Sequence, residues 1–385
     1  MKSNYEPLGK HIQLVDYRNS EEVTSTVLGI SIDKEFMPSV ANVIGTDLSR
    51  YKLISKGLFA CNPMHVGRDE RLPIALYEKD NASIVSPAYF MFEIIDRDVL
   101  NEEYLMMWFR RPEFDRECWF MTDGSVRGGI TWDDLCRIKL PVPSYARQCE
   151  IVESYRAITD RIALKRAEND NLANTEQAIL VETIGKNQTM PTTLGELVDF
   201  IDGDRGKNYP TFDEFTSTGY CLFLNASNVT STGFNFDACM FVTEEKDKSM
   251  NKGHLSLNDI VLTSRGTLGN VALYDKHIGF KNVRINSGML IIRPKTKRLS
   301  PHFIYALLKS SYMKAAIERF KSGSAQPQLP IKDLQKIVFE IPESDAVLAS
   351  LDCQFLFIEE QISINNKEID KLKELGSIFL AELSR

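Results

Sequence analysis

The chain has 385 residues, of which 43% are hydrophobic and 26% charged, values typical of a folded globular protein with two or three domains. No stretch is long and apolar enough to span a membrane, and the polar start of the chain lacks the apolar region of a signal peptide. Seven cysteines without CxxC spacing fit reduced thiols, so the sequence predicts a cytoplasmic protein with neither a disulfide framework nor a metal site. The net charge of −7 does not exclude nucleic acid as a partner, because the mean charge says little about one face.

Residues 1–143 are predicted to form a first module of mixed α/β type. Runs of β-branched and aromatic residues at 27–30 and 89–95 indicate strands, and the pattern at 103–114 indicates a helix. The polar residues of this module that could contact nucleic acid are Asn62, His65, Arg68, Arg71, Ser125 and Arg127.

Residues 144–186 are predicted to form one long helix. Apolar residues spaced three and four apart indicate a heptad seam, in which we place Ile158, Ile162, Leu172 and Ile179. Polar residues interrupt this seam at Lys165, Asn169 and Glu176. Such interruptions reduce stability but can fix the register between two helices.

A polar link at 185–191 leads to a second module at 191–342, also predicted to be mixed α/β. Strands are predicted at 259–263 and 288–292, and a helix at 301–320, where Ser300 is a suitable N-cap before a first-turn proline.

The second module has four polar segments suited to phosphate and base-edge contacts. The turn at 202–210 combines glycines, which let the backbone approach a phosphate, with cations, and the segment 263–270 follows a strand. Three residues alternate along a third segment and are predicted to share one face, and segment 321–328 is polar throughout. The candidates are Arg205, Lys207, Asn208, Tyr209, Ser264, Arg265, Asn282, Arg284, Asn286, Lys321, Ser324, Gln326 and Gln328. For each segment, an ordinary solvated turn or strand face is the alternative interpretation.

Residues 343–385 are predicted to form a second long helix with the same heptad pattern. Its seam contains Ile358, Ile362, Ile369, Leu372 and Phe379, with a polar interruption at Asn365. We expect the two long helices to pack on each other; two ordinary amphipathic helices on a core are the alternative.

The layout is an internal repeat. The pairs at 124–125, 134–135 and 142–143 recur at 323–324, 333–334 and 341–342, each with an offset of 199. Dividing the charge along the repeat gives −5 for residues 1–143, +4 for 191–342 and −5 for 343–385. One duplicated module is therefore predicted, with a basic second copy and an acidic final helix.

Catalytic motifs are missing. The nearest string to the Asn-Pro-Pro-aromatic loop of adenine methyltransferases is NPMH at 62–65, and neither GxGxxG nor GxxxxGK[ST] occurs. A nuclease pattern could be drawn through Asp237, Glu244 and Lys246, but such spacing is common by chance. No catalytic residue is predicted.

Taken together, the duplicated layout and several strings resemble the specificity (S) subunit of type I restriction–modification systems. The strings are GSAQPQ at 323–328, DRGKNYP at 204–210, LTSRGTLGN at 262–270 and VSPAYFMF at 85–92, and Pro143 followed by Gln148 resembles the family's module-to-helix junction. The resemblance implies two target recognition domains, each reading half of a bipartite DNA site. It also implies that the two helices pack as an antiparallel coiled coil with pseudo-twofold symmetry, which fixes the gap between the half-sites.

The resemblance further implies partners that carry the chemistry. Two modification subunits would supply S-adenosylmethionine and adenine-N6 methylation, and two restriction subunits would supply ATP- and Mg-dependent translocation and cleavage. The chain itself would bind double-stranded DNA without a cofactor. Two other classes remain open: a self-contained DNA-modifying enzyme, and a coiled-coil scaffold or regulator that does not bind DNA.

Overall fold

The structure is a computed structural model that describes residues 5–40, 43, 45–64, 66–122, 128–296, 298–320 and 328–383. The helices are α1 (Val66–Asp69), α2 (Glu102–Phe109), α3 (Pro112–Phe120), α4 (Trp132–Arg137), α5 (Tyr145–Lys186), α6 (Leu194–Leu197), α7 (Glu244–Ser249), α8 (Pro301–Lys309), α9 (Ser311–Phe320), α10 (Ile331–Leu334) and α11 (Asp345–Glu382). The strands are β1 (Tyr5–Pro7), β2 (Ile12–Leu14), β3 (Val27–Ile30), β4 (Phe36–Pro38), β5 (Lys52–Ile54), β6 (Phe59–Cys61), β7 (Ile74–Leu76), β8 (Ser83–Val85), β9 (Phe90–Ile94), β10 (Lys139–Pro141), β11 (Thr189–Thr193), β12 (Val198–Asp202), β13 (Cys221–Leu224), β14 (Val229–Thr230), β15 (Gly233–Phe234), β16 (Phe241–Val242), β17 (Ile260–Thr263), β18 (Val271–Leu273), β19 (Val283–Ile285), β20 (Met289–Pro294) and β21 (Val338–Pro342). The four strands predicted from sequence are confirmed to within two residues at each end.

The chain divides into two compact units. The first consists of Met1–Leu164 together with Ile369–Arg385, and the second is Lys165–Glu368. Each unit therefore contains one globular module and a part of each long helix, α5 and α11. No described helix combines the length and apolar content that a membrane span requires.

In the first unit, an antiparallel sheet has the strand order β2-β9-β6-β7, and a mixed sheet has the order β4-β3-β8-β5 with β3 parallel to β8. Helices α2 and α3 supply much of the apolar core, which the end of α11 joins through Leu380. The Arg111 side chain, 3% exposed, donates from Nε to the Leu380 carbonyl at 3.1 Å. The last turns of the chain are thus part of the first core.

The second unit repeats this topology. Its antiparallel sheet has the order β12-β20-β17-β18, and its smaller sheet, β16-β13-β19, again has one parallel pair, β13 with β19. Terminal strand pairs also correspond, β1 with β10 in the first unit and β11 with β21 in the second. The mixed α/β fold and the internal repeat predicted from the sequence are confirmed.

Helices α5 and α11 pack against each other as predicted, and they run antiparallel. In the first unit, the rings of Tyr155 and Phe379 lie 6.1 Å apart, while Ile158 lies beside Gly376. In the second unit, Lys165 Nζ donates to Asn365 Oδ1 at 2.9 Å. The nine predicted seam residues are buried or half-buried: Ile158, Ile162, Leu172, Ile179, Ile358, Ile362, Ile369, Leu372 and Phe379.

Two predicted helices and the predicted link differ from the structure. The helix predicted at 103–114 is α2 followed by α3, because Arg111 is extended and Pro112 begins a new helix. The helix predicted at 301–320 is likewise α8 and α9, separated at the extended Ser310. The polar link predicted at 185–191 is mostly the end of α5 and the start of β11, whose hydrogen-bonding partner, β21, is remote in sequence.

Candidate nucleic-acid interface

The polar loops of the second module meet at one edge of its antiparallel sheet. Strand β12 ends at Asp202 and β17 ends at Thr263, whereas β20 begins at Met289. The register pairs Asp202 with Leu290 and Thr263 with Met289, so these three strand ends lie at the same edge. The loops that follow β12 and β17 and precede β20 therefore converge there.

The first of these loops packs closely on Asn286 and is held by the Asp204 side chain. A side chain at Gly203 would clash with the Asn286 carbonyl, so the turn requires glycine. Asp204 accepts hydrogen bonds from the backbone N–H groups of Gly206 and Asn251, both at 2.7 Å. The Gly206 bond holds the pKa of the Asp204 carboxyl below its usual value, so the brace stays ionised near neutral pH.

Within this loop the predicted residues divide into anchors and exposed groups. Asn208 donates to the Ser249 carbonyl at 2.7 Å, and the Tyr209 ring packs edge-on against Phe223. Lys207, in contrast, is exposed, and no described residue pairs with it. The anchors fix the loop, and Lys207 is the group it presents to solvent.

Arg205 lies between this loop and the turn before β20. Its Nη2 atom donates to Asp202 Oδ1 at 3.0 Å and to the Ser287 carbonyl at 3.3 Å, and 47% of its side chain is exposed. The guanidinium therefore retains donors that face solvent at the loop-bearing edge.

The loop after β17 contacts the same turn. Ser264 is buried, and both its backbone N–H and its hydroxyl donate to the Gly288 carbonyl, at 2.9 and 3.0 Å. Arg265 donates its backbone N–H to the same carbonyl at 3.1 Å. The Arg265 side chain is half-buried, and within the described part of the chain no carboxylate pairs with it.

Backbone contacts also bring Gln328 to this edge. It forms an isolated antiparallel bridge with Arg265, and the next residue, Leu329, donates to the Ser264 carbonyl at 3.0 Å. Three further predicted contacts, Lys321, Ser324 and Gln326, lie outside the described residues.

The expectation that Arg284 contacts bases is corrected by the structure. Arg284 is 5% exposed and donates to the Asp247 carboxylate at 2.6 Å and to the Lys252 carbonyl at 2.5 Å. Arg284 does not lie on an exposed strand face. It lies in β19, whose three residues are all buried. The expectation for Ser264 is corrected as well, because its hydroxyl is buried and donates to the Gly288 carbonyl. Asn282 is half-buried and donates weakly to the Tyr220 carbonyl at 3.4 Å.

Asp247 also belongs to a group of three potential metal ligands. Single donor atoms of Cys221, Asp247 and His254 lie within 4.8 Å of one another. The Arg284 guanidinium already occupies Asp247, and burial raises the pKa of the Cys221 thiol well above its usual range. Because the Arg284 guanidinium holds the Asp247 carboxylate, the three residues do not form an open cation site in this arrangement.

The first module has an equivalent edge with different chemistry. Strand β6 ends at Cys61, which pairs with Phe90 at the start of β9, and the following loop accepts a hydrogen bond at the Pro63 carbonyl from Ile130 N–H at 3.1 Å. This bond corresponds to that between Leu329 and Ser264 in the second module. The structure thus places the loops that follow β6 and β17 in equivalent positions.

The two described candidate arginines of the first module are paired with carboxylates. Arg68 donates to both oxygens of Asp69, at 2.6 and 2.9 Å, and Arg71 lies 3.1 Å from Asp33. Asn62 accepts from the Met64 N–H at 3.2 Å in a local turn. The remaining predicted contacts of this module, His65, Ser125 and Arg127, lie outside the described residues.

A comparison of the sequence with known protein families identifies the class of protein to which the second module belongs. Residues 188–374 match the family model for the type I restriction modification DNA specificity domain. Residues 188–374, which cover the second module and most of α11, therefore belong to this family.

Three solved structures are similar to this chain over nearly its whole length, one of them with a TM-score above 0.5. The S subunit of the type I restriction–modification system from M. genitalium is 17% identical, with 99% of this chain and 96% of that chain covered and a TM-score of 0.54. The HsdS subunit from Thermoanaerobacter tengcongensis is also 17% identical over 99% of this chain and 96% of that one, with a TM-score of 0.36. A structure described as the basis of complex assembly and conformational transition of the type I R-M system covers 99% and 97% at 17% identity, with a TM-score of 0.43. No curated protein matches the chain significantly.

Proposed function

We propose that this chain is the DNA sequence-recognition subunit of a type I restriction–modification complex, and that each module reads one half of a bipartite site. The observation that carries the proposal is the convergence of the second module's loops at one sheet edge, where Lys207 and Arg265 have no carboxylate partner among the described residues. Unpaired cations neutralise phosphates, and braced side chains read base edges without first being ordered.

The half-sites differ from each other. The two modules share one topology, but the loop after β6 has carboxylate-paired arginines, whereas that after β17 has the unpaired Arg265. Because base-edge contacts depend on the side chains at this position, the target is asymmetric.

The paired helices act as the spacer and as the docking surface for other subunits. Helix α11 exposes large apolar residues, including Phe357 at 60% and Ile364 at 48%, and residues 343–385 have a net charge of −5. Two modification subunits dock on the helices with S-adenosylmethionine, and two restriction subunits add ATP- and Mg-dependent cleavage. The chain itself is non-catalytic, binds no cofactor and acts in the cytoplasm.

The test is co-expression with the neighbouring modification-type gene and single-molecule sequencing of host DNA for N6-methyladenine. We expect one asymmetric bipartite motif that disappears when this chain is deleted. Methylation of DNA by the purified chain alone would instead identify a self-contained enzyme.

A scaffold that does not bind DNA is the second candidate, supported by the exposed apolar residues of α11. Salt separates the two candidates. Phosphate-driven binding weakens steeply between 50 and 200 mM salt, as in other DNA-binding proteins. A stable complex that forms without any salt-sensitive DNA binding would favour the scaffold.

A further inference from the structure

A chain of hydrogen bonds crosses the seam between α5 and α11 in the second unit. Lys165 Nζ donates to Asn365 Oδ1, Asn365 Nδ2 donates to Asn169 Oδ1, and Asn169 Nδ2 donates to Asn366 Oδ1, all at 2.9 Å. We define these four residues as the cross-seam network. Each bond joins one helix to the other.

The centre of the network lies inside the seam, and its Asn366 end is exposed. Asn365 is 4% exposed, yet both polar atoms of its amide have partners on α5. Lys165 also lies 2.8 Å from Glu168 and 3.6 Å from Glu368, so its charge is balanced from both helices. The buried polar groups are therefore satisfied in this one arrangement of the helices.

Stability does not explain the network, because well-packed apolar residues at such positions usually stabilise a helix pair more. The dependence of hydrogen bonds on geometry does explain it, because these bonds form in only one register of the two helices. If α11 moved by one helical turn, about 5.4 Å, the Asn365 amide would lie beside only one of its two partners, because Lys165 and Asn169 are themselves one turn apart, and its other polar atom would be left without a partner. The network therefore opposes alternative registers, in addition to the contacts of Leu380 with the first core.

We propose that Lys165, Asn169 and Asn365 are specificity-determining residues for the length of the gap between the half-sites. This inference rests on the proposed function, in which the helix pair separates the modules. One helical turn of about 5.4 Å exceeds the rise of one base pair, about 3.4 Å, so a change of register changes the accepted gap. The network restricts the complex to one gap length.

The first test replaces Asn169 and Asn365 together by leucine and co-expresses the variant with the modification subunit. The host carries a plasmid library of both half-sites with every gap length from three base pairs shorter to three longer. We expect methylation at a neighbouring gap length to rise about tenfold over wild type, while both half-site sequences stay unchanged. The matched control, Ile162→Leu with Ile362→Leu, keeps the apolar seam and should keep the single gap.

A second test measures register without DNA. The pair Ile158→Cys and Gly376→Cys reports the native register, because Ile158 lies beside Gly376. The pair Ile158→Cys and Leu372→Cys reports a shift of one turn. In a background with Cys353→Ser, we expect the shifted pair to form a disulfide only in the Asn169→Leu, Asn365→Leu variant.

The outcomes separate this inference from the proposed function. Wild type without any bipartite motif contradicts the proposed function, and the disulfide pairs then decide the register inference alone. A folded leucine variant that keeps one gap and traps only the native pair overturns the inference and leaves the proposed function intact.

Discussion

Lys309 Nζ lies 2.9 Å from Oε2 of Glu176, a carboxylate of α5 with no exposed surface. The same ammonium donates to Glu359 Oε1 of α11 at 2.8 Å. One half-buried ammonium on α8 thus contacts two carboxyl groups, one from each long helix. Burial raises the pKa of Glu176 to about 8; Lys309 opposes this shift, and Glu359 reinforces it.

This pKa predicts that the chain becomes less stable as pH rises from 7 to 8.5. The folded state retains a proton on Glu176 that the unfolded state, with a pKa near 4.5, has released. The stabilisation from this proton is complete below about pH 4.5 and is lost as pH rises through about 8. We expect the free energy of unfolding to fall by about 1 kcal/mol per pH unit, measured by urea unfolding.

Glu176→Gln should flatten this dependence, because glutamine does not ionise. The control Glu182→Gln changes an exposed carboxylate on the same helix and should keep the wild-type slope. Burial lowers the pKa of the nearby His302, so that residue titrates below the chosen window. An unchanged slope in Glu176→Gln would show that another group titrates.

Changing Arg284 to alanine should lower the stability of the protein, whereas changing Arg265 to alanine should alter DNA recognition and leave stability nearly unchanged. Arg284→Ala leaves the 6% exposed Asp247 without its cation, so we expect a loss of about 3–5 kcal/mol in the free energy of unfolding. Arg265→Ala removes a side chain with no described partner and should change stability by less than about 0.5 kcal/mol. Urea unfolding measures the first effect, and the methylated motif measures the second, which should change in one half-site only.

If Arg265→Ala methylates the unchanged site at the wild-type rate, Arg265 is not in the interface. If Arg284→Ala folds as stably as wild type and alters the motif, Arg284 acts in recognition and not as a buried structural cation.

Lys207→Ala should weaken DNA binding and its dependence on salt. If Lys207 contacts one phosphate, the slope of log affinity against log salt concentration should fall by roughly 1. Fluorescence anisotropy of the assembled complex on its cognate duplex measures this slope. Lys248→Ala is the matched control, because Lys248 is exposed in the same module but pairs with Glu244 at 2.7 Å. Equal slopes for the two variants would remove Lys207 from the interface.

Inserting one heptad into each helix, after Leu164 and after Glu368, should change only the gap. Seven helical residues add about 10.5 Å, close to the rise of three base pairs. Sequencing of N6-methyladenine should therefore report a longer gap between the original half-sites. An insertion in α5 alone should abolish methylation, since it removes the pairing of the seam. A changed half-site sequence in the double insertion would contradict the spacer role.

The helices were the most predictable part of the fold. A heptad pattern is local, so the sequence predicted α5 and α11 to within about three residues and marked Lys165, Asn169 and Asn365 as interruptions. It did not predict which partners these side chains bind, because the antiparallel pairing joins residues about 200 positions apart.

The candidate interface was less predictable. Glycine and cation patterns indicated the loops around Lys207 and Arg265, but their convergence depends on the register of β12, β17 and β20. The alternation around Arg284 indicated an exposed face. The partner that buries Arg284, Asp247, lies 37 residues away in a short helix that the sequence did not indicate.

The bond between Arg111 and Leu380 has a consequence for synthesis of the protein. The first core cannot be completed when residues 1–164 leave the ribosome, because Leu380 belongs to it and is translated only after the second unit. The second unit, continuous from Lys165 to Glu368, is made in the meantime and can fold first. A nascent chain thus keeps an unfinished apolar surface until the last turns of α11 emerge, so a message truncated before α11 ends yields a product open to proteolysis.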